Sequence, residues 1–370
     1  MIPSIPLSQP WLTDIERGRV DSALRSGWLT QNGPDVKQME SGLLDFLNAS
    51  QDVGGPVESF ELTTTSNGTT ALHLALLALG IGPGDEVIIP NYSYIAVINA
   101  VIYCGATPII ADVSRLDWNL DPEDVSRCIT ERTKALIAVD NYGRPNDFHK
   151  LKSVVGGRFT IIQDAAESFP DAFTASRGYG DLITLSFYGN KVFTSAEGGA
   201  VAGRPQIIQK IKSLKNQSLG AIGTFSHIDV GYNYRITNLH AAVFNAQWAR
   251  RDEIMGERRR VFSVYAEILE NEWGSLESNF LCNPWLATLL IPGKNKSIPQ
   301  IREYLGAKGI ETRPGFTLFT EQPFLRSYIS LRPTPVSVDL SSRTLSLPTY
   351  PQLTNREIKQ ICEALVASLE

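Results

Sequence analysis

The stretch SFYGNKVFTSAEGGA, residues 186–200, sets one lysine, Lys191, between the end of an aromatic-rich strand and a double glycine. A lysine is a nucleophile only as the free amine, and partial burial at a strand mouth drives it toward that form. The amine then condenses with an aldehyde. Three further features fall where apolar runs end. TIIQD closes on Asp164, a carboxylate that needs a cation or hydrogen bonds at an apolar strand end. TTTSNGTT, residues 63–70, reads as a small hydroxyl-rich turn running into a helix. Free amides there, with the hydroxyls of Ser66, Thr69 and Thr70, suit a phosphate. Tyr92 and Tyr94 follow Pro90, either as core aromatics or as a cover for a flat ligand.

Each feature has a plainer reading: an ordinary N-cap, a turn-capping acid, core tyrosines. Together they meet one demand. Pyridoxal phosphate needs a lysine amine, a phosphate cradle, an aromatic over its ring and a carboxylate on its pyridine nitrogen. Other chemistries find less support. No dinucleotide-binding glycine motif follows a strand, and neither a phosphate-binding P-loop nor a serine nucleophile elbow occurs. His73, His149, His227 and His240 lack metal-ligand spacing, and His73, inside an apolar helix, reads as a satisfied core or ligand-adjacent histidine.

The elements that position these residues alternate. TTALHLALLALG (69–80) is a mostly buried helix stopped at Gly80, GDEVIIP (84–90) a buried strand, SYIAVINAVIYCG (93–105) a helix and TPIIADV (107–113) a strand. Asp121 and Pro122 start another helix. KALIAVDNYG (134–143), FTIIQDAA (159–166), LITLSFYG (182–189) and GGAVAG (198–203) are strand-like. This predicts an α/β domain over 30–250 with a mostly parallel sheet, whose ligands bind beyond the strands' carboxyl ends. Residues 251–370 open with a long charged helix and read as a small α+β domain, with which residues 1–29 are expected to pack. QDVGGPVESFE (51–61) reads as a surface insertion.

At 370 residues, 43% apolar and 20% charged, the chain has the composition of a soluble globular protein of two domains. A net charge of −5 gives no reason to expect nucleic acid or an anionic membrane as partner. No apolar run reaches the roughly 18 residues of a membrane span, and no secretory leader is evident. Cys104, Cys128, Cys282 and Cys362 are scattered, which suits buried thiols in a reducing cytoplasm.

SNGTTALHLALLALGIGPGDEVIIP, GATPIIADV, QDAAES, SFYGNKVFTSAEGGA and GYNYRITNLHAAV resemble, in order and spacing, the sugar aminotransferases of the DegT/DnrJ/EryC1/StrS family. The resemblance runs from PLSQPWL, at about residue 6, to the end, through LRSGWLTQNGPDVKQME, LGAKGIETRP and LSLPTY. It implies a fold-type I pyridoxal-phosphate transferase, like aspartate aminotransferase. Lys191 then matches the Schiff-base lysine, Asp164 the partner of the pyridine nitrogen, and Glu167 a neighbour of the phenolic oxygen. Tyr94 matches the ring-stacking position, and Gly68, Thr69 and Ser186 the phosphate-binding ones. Asn233 matches a residue that reaches the phosphate of a neighbouring subunit, implying a homodimer with shared active sites. Trp28, Tyr188 and Arg313 fall at substrate-binding positions.

The implied activity is amination of a nucleotide-linked keto sugar, with L-glutamate as donor. The GNK lysine resembles the branch that aminates C4 of a GDP-linked 4-keto-6-deoxy sugar for O-antigen or other glycoconjugate biosynthesis. A branch that removes a hydroxyl carries histidine in place of the lysine, so Lys191 argues against it. A dehydratase or lyase, and a 3-aminotransferase, are the alternative enzymes; a cofactor-binding regulatory protein is the non-enzymatic one. Two departures bear on the substrate. Tyr188 stands where many relatives have histidine, and GFTLFTEQPF follows ETRP where the nearest branch has a histidine-containing aromatic loop.

Overall fold

Apolar runs separated by helices assemble into one large sheet. Its strands are, in chain order, β1 (Glu61–Thr65), β2 (Glu86–Pro90), β3 (Thr107–Ala111), β4 (Thr133–Val139), β5 (Thr160–Asp164), β6 (Leu182–Ser186) and β7 (Gly199–Gly203). They lie in the order β1-β7-β6-β5-β4-β2-β3. Only β7 runs against its neighbours, β1 and β6, so the predicted mostly parallel sheet is found. The computed structural model describes residues 4–51, 60–171, 178–220, 224–273, 277, 278, 280, 284–292 and 296–370. Of the expected insertion at 51–61, residues 52–59 lie outside the described residues, as does Cys282.

Helices α1 (Asp14–Ser26) and α2 (Pro34–Gln51) precede the sheet, and α3 (Gly68–Ala78), α4 (Ala96–Tyr103), α5 (Pro122–Cys128), α6 (Phe148–Val155) and α7 (Pro205–Lys215) are interleaved with or follow its strands. Helices α8 (Asn238–Ala249) and α9 (Arg251–Trp273) lead to a three-stranded antiparallel sheet of β8 (Thr288–Leu290), β9 (Arg313–Pro314) and β10 (Thr344–Ser346), with β10 in the middle. Helices α10 (Ile298–Ala307), α11 (Pro335–Arg343) and α12 (Asn355–Leu369) complete this part.

Helices cover both faces of the large sheet, so its inner strands are continuous apolar runs rather than alternating ones. Val87, Ile88, Ile89, Leu136, Ile137, Ile162, Ile183 and Leu185 are all fully buried, each stabilising the fold by about 1.5–3 kcal/mol. Helix α3 starts at Asn67, whose side chain accepts from the Thr70 N–H at 2.9 Å while the Thr70 hydroxyl accepts from the Asn67 N–H at 3.1 Å. It stops before Gly80, whose φ of +79° suits glycine.

The N-terminal segment divides. Ile5 bridges to Ile310, and the Leu7 N–H donates to Glu311 at 2.9 Å, beside the small sheet. Helix α1 instead lies along α8, where buried Glu16 pairs with Arg250 at 2.9 Å.

Three local expectations change. Residues 63–65, read as part of a turn, are strand β1; their hydroxyls hid a strand because a half-buried partner, Glu40, accepts from Thr63 Oγ1 and from the Thr64 N–H and hydroxyl. Strand β4 ends at Val139, and 141–143 form a single 3-10 turn in which Tyr142 takes φ +53°. His73 is buried, edge-on to Tyr103 and Tyr232, and neither ring nitrogen has a hydrogen-bond partner among the described residues, so of its two expected readings the satisfied-core one finds no partner there.

Candidate active site

A cavity of about 720 Å³ opens where the parallel strands end, between the large sheet and β9 of the small one. The start of α3 contributes Asn67, Gly68 and Thr69, the segment after β2 contributes Tyr94, and the turn after β5 contributes Glu167 beyond Asp164 itself. Ser186 ends β6, Tyr188 and Lys191 lie on the β6–β7 connection, and Arg313 comes from β9. Topology explains the convergence: parallel neighbours all finish at one sheet edge, so residues far apart in sequence meet there.

Lys191 is the centre. Its Nζ lies 3.7 Å from Glu167 Oε1 and 4.2 Å above the Trp285 ring. Burial pulls its pKa below the ordinary lysine value, against the pull of the Glu167 and Asp164 charges. Asp164 Oδ1 accepts from the Ala166 N–H at 3.1 Å. Burial pushes the Asp164 carboxyl up to about 6, opposed by that N–H and by Lys191. Glu167 Oε2 accepts from the Tyr142 N–H at 2.8 Å, and burial pushes its carboxyl up to about 7, with Lys191 opposing. Burial thus shifts the amine down and the two carboxyls up, which draws their basicities toward one another, an arrangement suited to moving protons.

The cradle at α3 has a steric signature. A Cβ on residue 68 would stand 2.8 Å from Ser186 Cβ, so glycine lets the helix start approach β6. Asn67 and Thr70 satisfy each other there, while Gly68 and Thr69 line the cavity at the helix's positive end.

Two of the sequence-expected residues lie outside this cavity in the single chain. Trp28 is about half exposed, with its carbonyl accepting from Asn238 Nδ2 at 2.9 Å. Asn233 bridges to Asn216, and its side-chain oxygen accepts from Arg235 Nη2 at 2.7 Å. The two strand-end tyrosines split: Tyr92 is fully buried with its hydroxyl 3.1 Å from that of Tyr142, whereas Tyr94 is exposed at the cavity.

Sequence reasoning missed three contributors. Trp285 carries no motif and belongs to the segment before β8. Tyr142 lay inside a stretch read as strand. Asp140, wholly buried at the end of β4, accepts from the Asn146 N–H (2.9 Å) and Nδ2 (2.7 Å), from Gln163 Nε2 (2.8 Å) and from Ser168 Oγ (2.7 Å). It thereby ties β4 to β5 and to the turn carrying Glu167. The run of uncharged residues before Asp140 was the available signal.

A buried lysine, a strand-end carboxylate and a helix-start phosphate cradle on one sheet edge define a fold-type I pyridoxal-phosphate site, and the residues present fit that cofactor. Residues 12–366 match the DegT/DnrJ/EryC1/StrS aminotransferase family, and the chain belongs to it. It is 33% identical over 367 residues to the GDP-perosamine synthase of Escherichia coli O157:H7, covering 98% of this chain and 97% of that one. It is 34% identical over 373 residues to the GDP-perosamine synthase of Vibrio cholerae, covering 98% of each. Among solved structures, the Helicobacter pylori aminotransferase PseC, involved in the biosynthesis of pseudoaminic acid, shares the fold with a TM-score of 0.89 at 21% identity over 99% of each chain.

Proposed function

We propose that this chain moves the amino group of L-glutamate to C4 of a GDP-linked 4-keto-6-deoxy sugar, a step in O-antigen or related glycoconjugate synthesis. The near full-length similarity to two GDP-perosamine synthases supports that substrate. The observation that carries the reaction is the mostly buried amine of Lys191, held 3.7 Å from Glu167 Oε1. The buried free thiols Cys104, Cys128 and Cys362 suit the cytoplasm, where nucleotide sugars are made.

When bound, pyridoxal phosphate supplies an aldehyde that condenses with amines and a ring that takes up the electron pair left by a departing proton. Gly68, Thr69 and Ser186 are the residues for its phosphate, Asp164 for its pyridine nitrogen, Glu167 for its phenolic oxygen and Tyr94 for its ring face. Lys191 Nζ is the base: neutral, it takes up a proton, and charged, it returns one, with Glu167 steadying the charged form in between. Arg313 and Tyr188 face the substrate side, Arg313 as the cation for a carboxylate or phosphate. Asn233 and Trp28, outside the cavity of one chain, serve the site of a second copy in a homodimer.

The test is to incubate the cofactor-loaded protein with glutamate and the GDP-linked 4-keto-6-deoxy sugar, and to follow both products by mass spectrometry. An amino sugar nucleotide and 2-oxoglutarate should appear in equal amounts. A deoxygenated keto sugar, or an amine at C3, would replace this reading.

A further inference from the structure

The indole of Trp285 meets Lys191 and the residue before it, Asn190. Its face lies 4.2 Å from Nζ, and its Nε1–H donates at 2.9 Å to the carbonyl of Asn190, the residue just before the lysine. The ring is almost wholly buried and stacks on Tyr142, with centroids 6.2 Å apart and planes 26° apart. Its backbone is fixed from behind: Arg258 Nη1, on α9, donates to the carbonyls of Pro284 at 3.1 Å and of Trp285 at 2.9 Å. That guanidinium is buried, and its Nη1 is given to two peptide oxygens, which ties α9 to the segment that leads into the small sheet and carries Trp285.

We propose that Trp285 is a positioning residue for Lys191, holding the amine between its indole face and Glu167 whenever the amine is not bonded to cofactor. The inference rests on Lys191 being the reacting amine but not on which sugar is aminated. An amine displaced from the cofactor must stay within reach to move the proton. A free lysine side chain has ample rotamer entropy with which to leave. The attraction of a desolvated ammonium to an aromatic face opposes that tendency. The groups facing the amine are Glu167 and Asp164 from the β5 end, which favour its charged form, and Arg313 from β9, which opposes it. The indole face adds to the first pair, because it favours the charged form alone.

The experiment is trace acetylation of the full chain, stripped of cofactor, across a pH series, with Lys191 read by peptide mass spectrometry. Exposed Lys359 serves as the internal standard. Trp285→Met removes the aromatic face and should lower the midpoint of Lys191 labelling by about half a pH unit or more. Trp285→Phe keeps the face and should leave the midpoint near that of the unaltered protein. A midpoint that stays or rises in Trp285→Met, with Lys359 unchanged, overturns the proposal. Should Trp285→Met not fold, tryptophan emission of the unaltered apoprotein decides: a pH-dependent step that Lys191→Met abolishes is expected, and identical titrations in the two proteins would sink the contact. Neither readout involves a sugar, so failure of the proposed substrate leaves this test standing.

Discussion

Gly68 and Ser186 meet so closely that any side chain at position 68 would place its Cβ 2.8 Å from Ser186 Cβ. The α3 start and the β6 end are therefore fitted to each other, and the cavity wall they form is the proposed phosphate cradle. Gly68→Ala should weaken pyridoxal-phosphate binding at least about tenfold and cost about 1–3 kcal/mol of apoprotein stability. Fluorescence titration with the cofactor checks the first, urea unfolding the second. Unchanged affinity would move the cradle elsewhere.

The proposed role of Asp164 is one of charge. Replacing it by asparagine keeps the shape and the hydrogen bond from the Ala166 N–H but removes the anion that holds a protonated ring nitrogen. Asp164→Asn is expected to retain cofactor while turnover drops by about a hundredfold or more. A rate close to that of the unaltered protein would take Asp164 out of the reaction.

Glu167 links the site to stability. Its carboxyl keeps its proton up to about pH 7 in the folded chain, against an ordinary 4.5. The folded state therefore binds more protons than the unfolded one between these values. Its contribution to stability is present below about 4.5 and is lost as the pH rises through about 7. Apoprotein carrying Glu167→Gln should lose less stability than the unaltered apoprotein between about pH 5 and about pH 8, as read by urea midpoints. Parallel curves would mean that Glu167 titrates normally.

The proposed shared site has a genetic signature. In a two-fold dimer each site takes its lysine from one chain and its asparagine from the other. Mixing Lys191→Ala with an impaired Asn233→Ala protein then places both defects in one site of the heterodimer and leaves the other intact. Activity should reappear once subunit exchange is confirmed; a mixture as inactive as its parents would assign Asn233 to its own chain.

The inner sheet was legible because a strand covered on both faces must be apolar throughout, as in Val87–Ile89 and Ile161–Ile162. Asp164 and Lys191 were legible for the opposite reason: a charged group at the end of such a run needs a partner. Strand β1 was not, because its threonines look like turn residues until Glu40, on α2, accepts their hydroxyls. Trp285 was invisible for want of locality. It meets the lysine connection across 95 residues, counted to Asn190, through a tertiary contact that no spacing rule encodes.

The antiparallel pairing of β6 and β7 makes residues 187–198 a hairpin connection rather than a crossover. Main-chain bonds close it, the Phe187 N–H to Gly198 O at 2.8 Å, the Ser195 N–H to Phe187 O at 2.9 Å and the Lys191 N–H to Tyr188 O at 2.8 Å, and the Thr194 and Ser195 hydroxyls brace it by donating to Phe187 O and Glu197 O. The lysine side chain takes no part in that closure. The loop is thus a mount and the amine a fitting on it, so the reactive group can be exchanged in evolution, or in the laboratory, while the mount keeps its shape.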